Sequence, residues 1–235
     1  MTDQVHIDSQ LDVFALASNW KGYFRSLIGE YVGGEVLEVG AGIGETTRVL
    51  CRGEHARWVC LEPNPAQAEQ IGALVGGGQL PKSCEVRAGT LADVPPQETF
   101  DTVLYIDVLE HIEGDREEAE RAAARLRSGG HLIVLAPAHQ GLYTPFDEIV
   151  GHYRRYTKET LSAAIPVSLR RCELSYVDAV GALASVFNRL ILKSSTPTRQ
   201  QILFWDRLMV PLSRLVDPLF GYRLGKTVIG VWRKE

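Results

Sequence analysis

The chain has 235 residues, 45% of them hydrophobic, with 25 Lys and Arg against 29 Asp and Glu and a formal net charge of -4. That length suits one domain with a substantial core, and the composition excludes a wholly disordered chain. The mildly acidic total argues against broad nucleic-acid binding, which shows a basic excess. Cys51, Cys60, Cys84 and Cys172 form no Cys-x-x-Cys pair, so they read as reduced thiols of a cytoplasmic protein rather than as a zinc or redox motif. No metal-ligand set is expected. Met1 to Asp12 is polar and lacks a signal-peptide layout, and no run of about 18 apolar residues predicts a membrane span.

In chain order, Phe14–Tyr31 reads as one amphipathic helix with Phe14, Leu16, Trp20, Phe24 and Leu27 among its apolar positions. Val36–Val39 is a strand, followed by a Gly-rich turn and a helix over Glu45–Arg52. Trp58–Leu61 is a second strand, ending in Glu62-Pro63. Pro65–Val75 is a helix closed by three glycines, and Glu85–Arg87 a short third strand. Thr102–Ile106 is apolar throughout, as a strand buried on both faces should be. Asp115–Arg127 reads as a helix stopped by Gly129-Gly130, and His131–Ala136 as the fifth strand. Thr157 is the expected N-cap of a helix over Lys158–Ala164. Leu169–Val177 and Thr227–Trp232 are the last strands. The alternation predicts an α/β fold, a largely parallel sheet with helices on both faces. The late strands lack a crossover helix of the earlier type, so an antiparallel edge pair is expected.

Gly40-Ala41-Gly42-Ile43-Gly44 follows the first strand and opens a helix. Glycines are required where backbone turns tightly and approaches a ligand, and N–H groups at a helix start favour anionic groups. Glu62, 22 residues after Gly40 and at the end of the next strand, can accept both hydroxyls of a ribose. The dinucleotide spacing Gly-x-Gly-x-x-Gly fails, because Glu45 stands three after Gly42. With Glu38 ahead of Gly40-x-Gly42-x-Gly44, the turn resembles motif I of the class I S-adenosylmethionine-dependent methyltransferases. The resemblance extends through Glu62-Pro63, Gly89-Thr90-Leu91, Phe100-Asp101, Asp107-Val108-Leu109-Glu110-His111-Ile112 and Leu126-Arg127-Ser128-Gly129-Gly130, over about residues 20–180. It implies S-adenosylmethionine as cofactor and a Rossmann-like seven-stranded methyltransferase sheet with an antiparallel last strand. The implied cofactor residues are Glu38, Gly40, Ala41, Gly42, Gly44, Glu62, Pro63, Thr90, Leu91, Asp107 and Val108. Relatives often carry an acid where this chain has Thr90; Asp93 or a backbone carbonyl is the alternative adenine contact. By the same likeness the N-terminal helix folds over the cofactor as a lid, which makes Asn19, Trp20 and Tyr23 candidate cofactor or acceptor contacts, against plain core packing as the favoured reading of Trp20.

Methyl transfer from a sulfonium asks the protein mainly for alignment and desolvation, with a base when the acceptor is a hydroxyl. His139, after the fifth strand, is the foremost base candidate; His111 is another, against a structural role. The loop from Tyr143 to Thr157 concentrates acid, imidazole, guanidinium and phenol groups. From it Asp147 and His152 are catalytic candidates, and Tyr143, Arg154 and Arg155 substrate candidates, the arginines as clamps for carboxylate or phosphate. The competing reading packs His152 and Tyr156 against the sheet and leaves the arginines in solvent.

The organisation read from the chain is a lid helix over 1–34, a cofactor-binding core over 35–181, a helical insertion over 182–224 and a last strand over 225–235. In the insertion, Ala182–Lys193 carries Ser185, Asn188, Arg189 and Lys193 on one side, and Gln201–Val216 carries Asp206, Arg207, Ser213 and Arg214. Pro211 should kink or split the second helix. Its apolar remainder fits a lid over an apolar acceptor, a homodimer interface or a peripheral membrane contact. Residues 1–150 hold 11 basic and 23 acidic groups, net -12, whereas residues 151–235 hold 14 and 6, net +8. A basic acceptor side favours an anionic small molecule. The expected activity is methyl transfer to an oxygen or nitrogen of a small molecule such as a secondary metabolite, sugar or lipid-linked precursor. A non-catalytic cofactor-binding module and a nicotinamide oxidoreductase are the alternatives.

Overall fold

The computed structural model describes residues 14–187 and 198–235; Asn188, Arg189 and Lys193 lie outside the described residues. The strands are β1 (Glu35–Val39), β2 (Arg57–Glu62), β3 (Cys84–Ala88), β4 (Phe100–Ile106), β5 (Leu126–Pro137), β6 (Leu169–Val177) and β7 (Thr227–Lys234). They form one seven-stranded sheet in the order β3-β2-β1-β4-β5-β7-β6. The first five run parallel. The last strand, β7, inserts between β5 and β6, antiparallel to both.

The described helices are α1 (Ser18–Ile28), α2 (Glu45–Leu50), α3 (Pro65–Gly76), α4 (Asp115–Ala124), α5 (Pro145–Ile149), α6 (Lys158–Ala164), α7 (Ala179–Phe187), α8 (Arg199–Phe204) and α9 (Val210–Leu219). Alternation along the strands divides the core. Leu37, Val59, Val103, Leu132 and Val134 pack with Ala119 and Ala122 of α4 and Leu161 of α6. Their neighbours Val36, Trp58, Cys60, Leu104 and Ile133 pack with Phe24 of α1, Leu50 of α2, Ile71 of α3 and Ile202 of α8. Both faces are therefore covered, which is why β4 carries no polar alternation.

Two boundaries differ from the sequence expectation. The helix expected over Asp115–Arg127 ends at Ala124, and Leu126 already pairs with Phe100 as the first residue of β5. Gly129-Gly130 is thus inside a strand and does not stop a helix. A β-carbon on Gly130 would lie 2.8 Å from the Asp101 carbonyl oxygen, so glycine lets two strands approach across a register shift. At the N-terminus the regular helix is confined to Ser18–Ile28, with a 3-10 turn over Gly29–Tyr31. Thr157 caps α6 as expected, accepting from the Thr160 amide.

The insertion begins with α7 at Ala179. Its second part is α8, a π-helical turn over Trp205–Met209 and α9. Pro211 sits in the first turn of α9, where a missing N–H is tolerated, and the wide turn ahead of it absorbs the disruption. Three buried aspartates fix this unit. Asp206 accepts from the amides of Asn19 and Trp20 at 3.3 and 2.9 Å. Asp217 accepts from the Tyr23 hydroxyl at 2.8 Å and from the amides of Asp178 and Ala179 at 2.7 and 3.0 Å. Asp178 accepts from Trp205 Nε1 at 2.7 Å and Ser213 Oγ at 2.6 Å. The outer side stays apolar and open: Leu208, Leu212, Leu215 and Leu219 are exposed. Among the described residues no helix is long and apolar enough to cross a membrane.

Candidate functional site

The sheet order reverses between β1 and β4, and in open α/β sheets ligands bind at the carboxyl ends of the strands at such a point. Val39 is level with both Leu61 and Tyr105, so Gly40, Glu62 and Asp107 emerge on one edge. Gly40 and Ala41 donate to the Leu61 carbonyl at 2.8 and 3.2 Å, which folds the turn over the end of β2. Gly40, Gly42 and Gly44 have φ of +68°, +57° and +82°. They are glycine for different reasons. A β-carbon on Gly40 would lie 2.6 Å from Val108 Cγ2, and one on Gly44 3.3 Å from Ile71; one on Gly42 would meet nothing within 4 Å. The first two glycines allow packing within the protein. The third holds open a space above the turn.

Glu62 closes one side of that space. Its carboxylate accepts from the Gly42 amide at 2.8 Å and the Asn64 amide at 2.9 Å. It is buried, and loss of hydration pushes its pKa upward against those two bonds. Two amide bonds leave a carboxylate with accepting capacity for a diol. Pro63 is exposed beside it. Asp107 follows β4 on the same edge, at a positive φ of 55°, with its amide bonded to the Leu135 carbonyl at 2.8 Å. The residue is exposed to solvent. Desolvation of its carboxyl raises the pKa to about 6, opposed by His152 and Lys226. Thr90 and Leu91 follow β3, the first exposed and the second buried. Asp93 accepts from the Thr90 amide and hydroxyl at 2.8 and 2.9 Å.

Glu38 has a different position. It is buried, and its carboxyl accepts from Thr47 Oγ1 at 2.7 Å and Trp58 Nε1 at 2.8 Å. It ties β1 to α2 and β2 beneath the turn and does not face the open space. Burial raises its pKa to about 7, against the two hydrogen bonds.

On the neighbouring turn after β4 the structure gathers Glu110, His111, Asp147, His152 and Arg155. Asp147 is fully buried. It accepts from Arg155 Nε and a terminal nitrogen at 2.8 and 2.9 Å, pairs with His152 Nδ1 at 2.8 Å and receives the Thr144 amide at 2.8 Å. Burial alone would raise its pKa; the His152 and Arg155 partners outweigh it and hold the carboxyl well below the usual range. The His152 ring meets His111 edge to face at 4.6 Å. His111 is exposed, and desolvation of its ring together with the His152 neighbour lowers its pKa to about 4, which favours the neutral imidazole.

Several sequence candidates are engaged within the protein. Arg154 donates to the carbonyls of Ile112 and Glu113 at 3.2 and 2.7 Å and pairs with Asp115 at 2.7 Å. With Arg155 held on Asp147, both expected clamps are internal ties. Tyr143 donates its hydroxyl to the His152 carbonyl at 2.7 Å. Trp20 and Tyr23 are buried between α1 and the insertion, with the Trp20 ring 5.6 Å from Trp205. His139 lies at a positive φ of 65° with its ring 4.6 Å from Tyr176, near the end of β6 and apart from the histidine pair. Sequence reasoning missed the internal roles of Asp178, Asp206 and Asp217, whose partners are remote in the chain. The N-terminal segment does bridge both sides. Lys21 pairs with Glu45 of α2 at 3.3 Å, and the Phe14 ring lies 6.2 Å from Phe146 of α5.

Residues 37–132 match the family described as the methyltransferase domain. A curated relative, the ubiquinone biosynthesis O-methyltransferase of Idiomarina loihiensis, is 29% identical over 113 residues, which span 48% of this chain and 46% of that protein. Among solved structures, a putative sarcosine dimethylglycine methyltransferase from Galdieria sulphuraria has TM-score 0.60 at 18% identity, over 92% of this chain and 83% of that one. Coclaurine N-methyltransferase, solved with N-methylheliamine and S-adenosylhomocysteine, has TM-score 0.62 at 12% identity, over 91% and 72%. At these identities the structural likeness establishes the fold.

Proposed function

We propose that this chain, whose residues 37–132 form a methyltransferase domain of the class I fold, moves a methyl group from S-adenosylmethionine to an oxygen or nitrogen of a small molecule. The observation that carries the reading is the open position at Gly42 beside the Glu62 carboxylate at the end of β2, on the same sheet edge as Asp107 at the end of β4. That donor set fits the cofactor: a diol acceptor on one side, a backbone cradle between, and a carboxylate for the cationic end. The cofactor supplies the activated methyl and its leaving group. The protein's task is alignment and exclusion of water, since an in-line displacement needs the acceptor atom held against the methyl carbon.

Asp107 is ionised above about pH 6, and a negative charge at the end of β4 favours a cationic ligand. Glu62 accepts the ribose hydroxyls while the Gly42 amide keeps its carboxylate turned toward the space. The α1 segment, pinned at Lys21–Glu45, shields the turn. An amine acceptor needs no base, whereas a hydroxyl must lose its proton. The exposed proton acceptors on the adjoining turn are Asp107 and neutral His111. The named relatives include one O- and one N-methyltransferase, which supports an acceptor atom of either kind. Incubating the protein with methyl-labelled cofactor and a metabolite extract tests the reading. Label is expected in a low-molecular-weight product; turnover absent from a sample that binds S-adenosylhomocysteine would support a non-catalytic module instead.

A further inference from the structure

Glu110 is fully buried, and neither of its carboxylate oxygens reaches a hydrogen-bond donor outside its own residue. An ionised carboxylate without partners is costly to bury, so such a group calls for a cation or a proton. The nearest candidates are imidazoles. His152 Nε2 lies 3.9 Å from Glu110 Oε1, and one donor atom each from Glu110, His111 and His152 fall within 4.8 Å of one another.

We infer that Glu110, His111 and His152 form a binding site for a divalent transition-metal cation on the turn after β4. Two imidazoles and one carboxylate are a donor set used for Zn2+, Mn2+ and Fe2+. The surroundings are built as metal sites are built. Asp147 engages His152 Nδ1 at 2.8 Å, which directs the Nε2 lone pair toward Glu110, and Arg155 and Thr144 fix Asp147 in turn. A carboxylate behind a ligating histidine sets its tautomer and orientation. His111 is exposed, so three protein ligands leave coordination positions open to solvent, the pattern of a reactive site and not of a closed structural one. No cysteine takes part, and the three ligands are separated as Glu110-His111 and a histidine 41 residues on, which hid the set from spacing rules. On the methyl-transfer reading, an open position on the turn that carries Asp107 suits an acceptor oxygen; the metal site itself stands without that reading.

The experiment is metal binding to chelator-stripped full-length protein, titrated calorimetrically with Zn2+, Mn2+ and Mg2+ separately, with no cofactor or acceptor present. The expected result is one equivalent of Zn2+ or Mn2+ bound more tightly than Mg2+. His111→Ala, which removes an exposed ring and leaves the core intact, should weaken binding by at least about tenfold, and Glu110→Gln should do the same with an unchanged apo circular dichroism spectrum. Co2+ loaded into the wild type should show a ligand-field spectrum that His111→Ala alters. Absence of Zn2+ and Mn2+ binding below millimolar concentration, or equal binding by wild type and both variants, would overturn the site and leave His152 as a structural partner of Asp147. Because the readout omits the cofactor, failure here leaves the methyl-transfer reading standing, and the converse holds.

Discussion

Gly42 and Gly78 provide a matched pair of perturbations. Both have positive φ, +57° and +71°, and a β-carbon on either would meet nothing within 4 Å. Replacing either by alanine therefore carries the same backbone penalty, about 1–2 kcal/mol for an L-residue held in the left-handed region. Neither adds a packing clash. For a chain of this length that is a fall in Tm of about 2–8 °C. The two differ in what their open space is for. Gly78 lies on the surface past the end of α3, whereas Gly42 stands in the turn beside the Glu62 carboxylate. A methyl at Gly42 occupies volume that the account assigns to the cofactor, and at least one displaced contact is worth about 1.4 kcal/mol, a tenfold loss of affinity. Calorimetric titration with S-adenosylhomocysteine should thus show Gly42→Ala weakened by tenfold or more and Gly78→Ala unchanged, at matched thermal stabilities. Wild-type affinity in Gly42→Ala would refute the assignment of that space.

Glu38 links stability to pH. Its folded pKa of about 7 exceeds the ordinary 4.5, so its contribution is full below pH 4.5 and is lost as pH rises through 7. The loss amounts to about 3 kcal/mol, and Glu38→Gln should remove that slope in urea unfolding; parallel curves for the two proteins would contradict it. Asp147→Asn strands Arg155 and should destabilise by about 3–5 kcal/mol in the same assay, a near-neutral result counting against a buried tie. Asp217→Ala leaves the Tyr23 hydroxyl and two amides unsatisfied and should cost about 3 kcal/mol or more, with faster hydrogen exchange in α1 and α9. Unaltered exchange there would mean the insertion is held by apolar packing alone.

What could be read from the sequence was local. The Gly40–Gly44 turn, the following helix and Glu62 at the end of the next strand are dictated by neighbours within one βαβ unit, so spacing alone places them. The Thr157 cap is equally local. The internal roles of Asp206 and Asp217 escaped notice because their partners, Trp20 and Tyr23, lie 186 and 194 residues away. Trp20 and Tyr23 looked like lid contacts for the same reason: the surface that buries them is supplied by the insertion. Arg154 and Arg155 show a second limit. A loop dense in charge reads alike whether it awaits a ligand or satisfies itself, and here Asp115 and Asp147 take both guanidiniums. At Leu126–Gly130 the Ala- and Arg-rich run resembled a helix with its stop, and only the close approach of Asp101 explains why the glycines belong to a strand.

The central claim is that the edge formed by Gly42, Glu62 and Asp107 holds S-adenosylmethionine. Calorimetric titration of the full-length protein with S-adenosylhomocysteine, repeated with Glu62→Gln, tests it most directly. One site per chain is expected, weakened about tenfold or more by the substitution, since a hydrogen bond to a charged acceptor is worth about 1.5–3 kcal/mol. A folded protein that gives no binding heat with either S-adenosylhomocysteine or S-adenosylmethionine would contradict it.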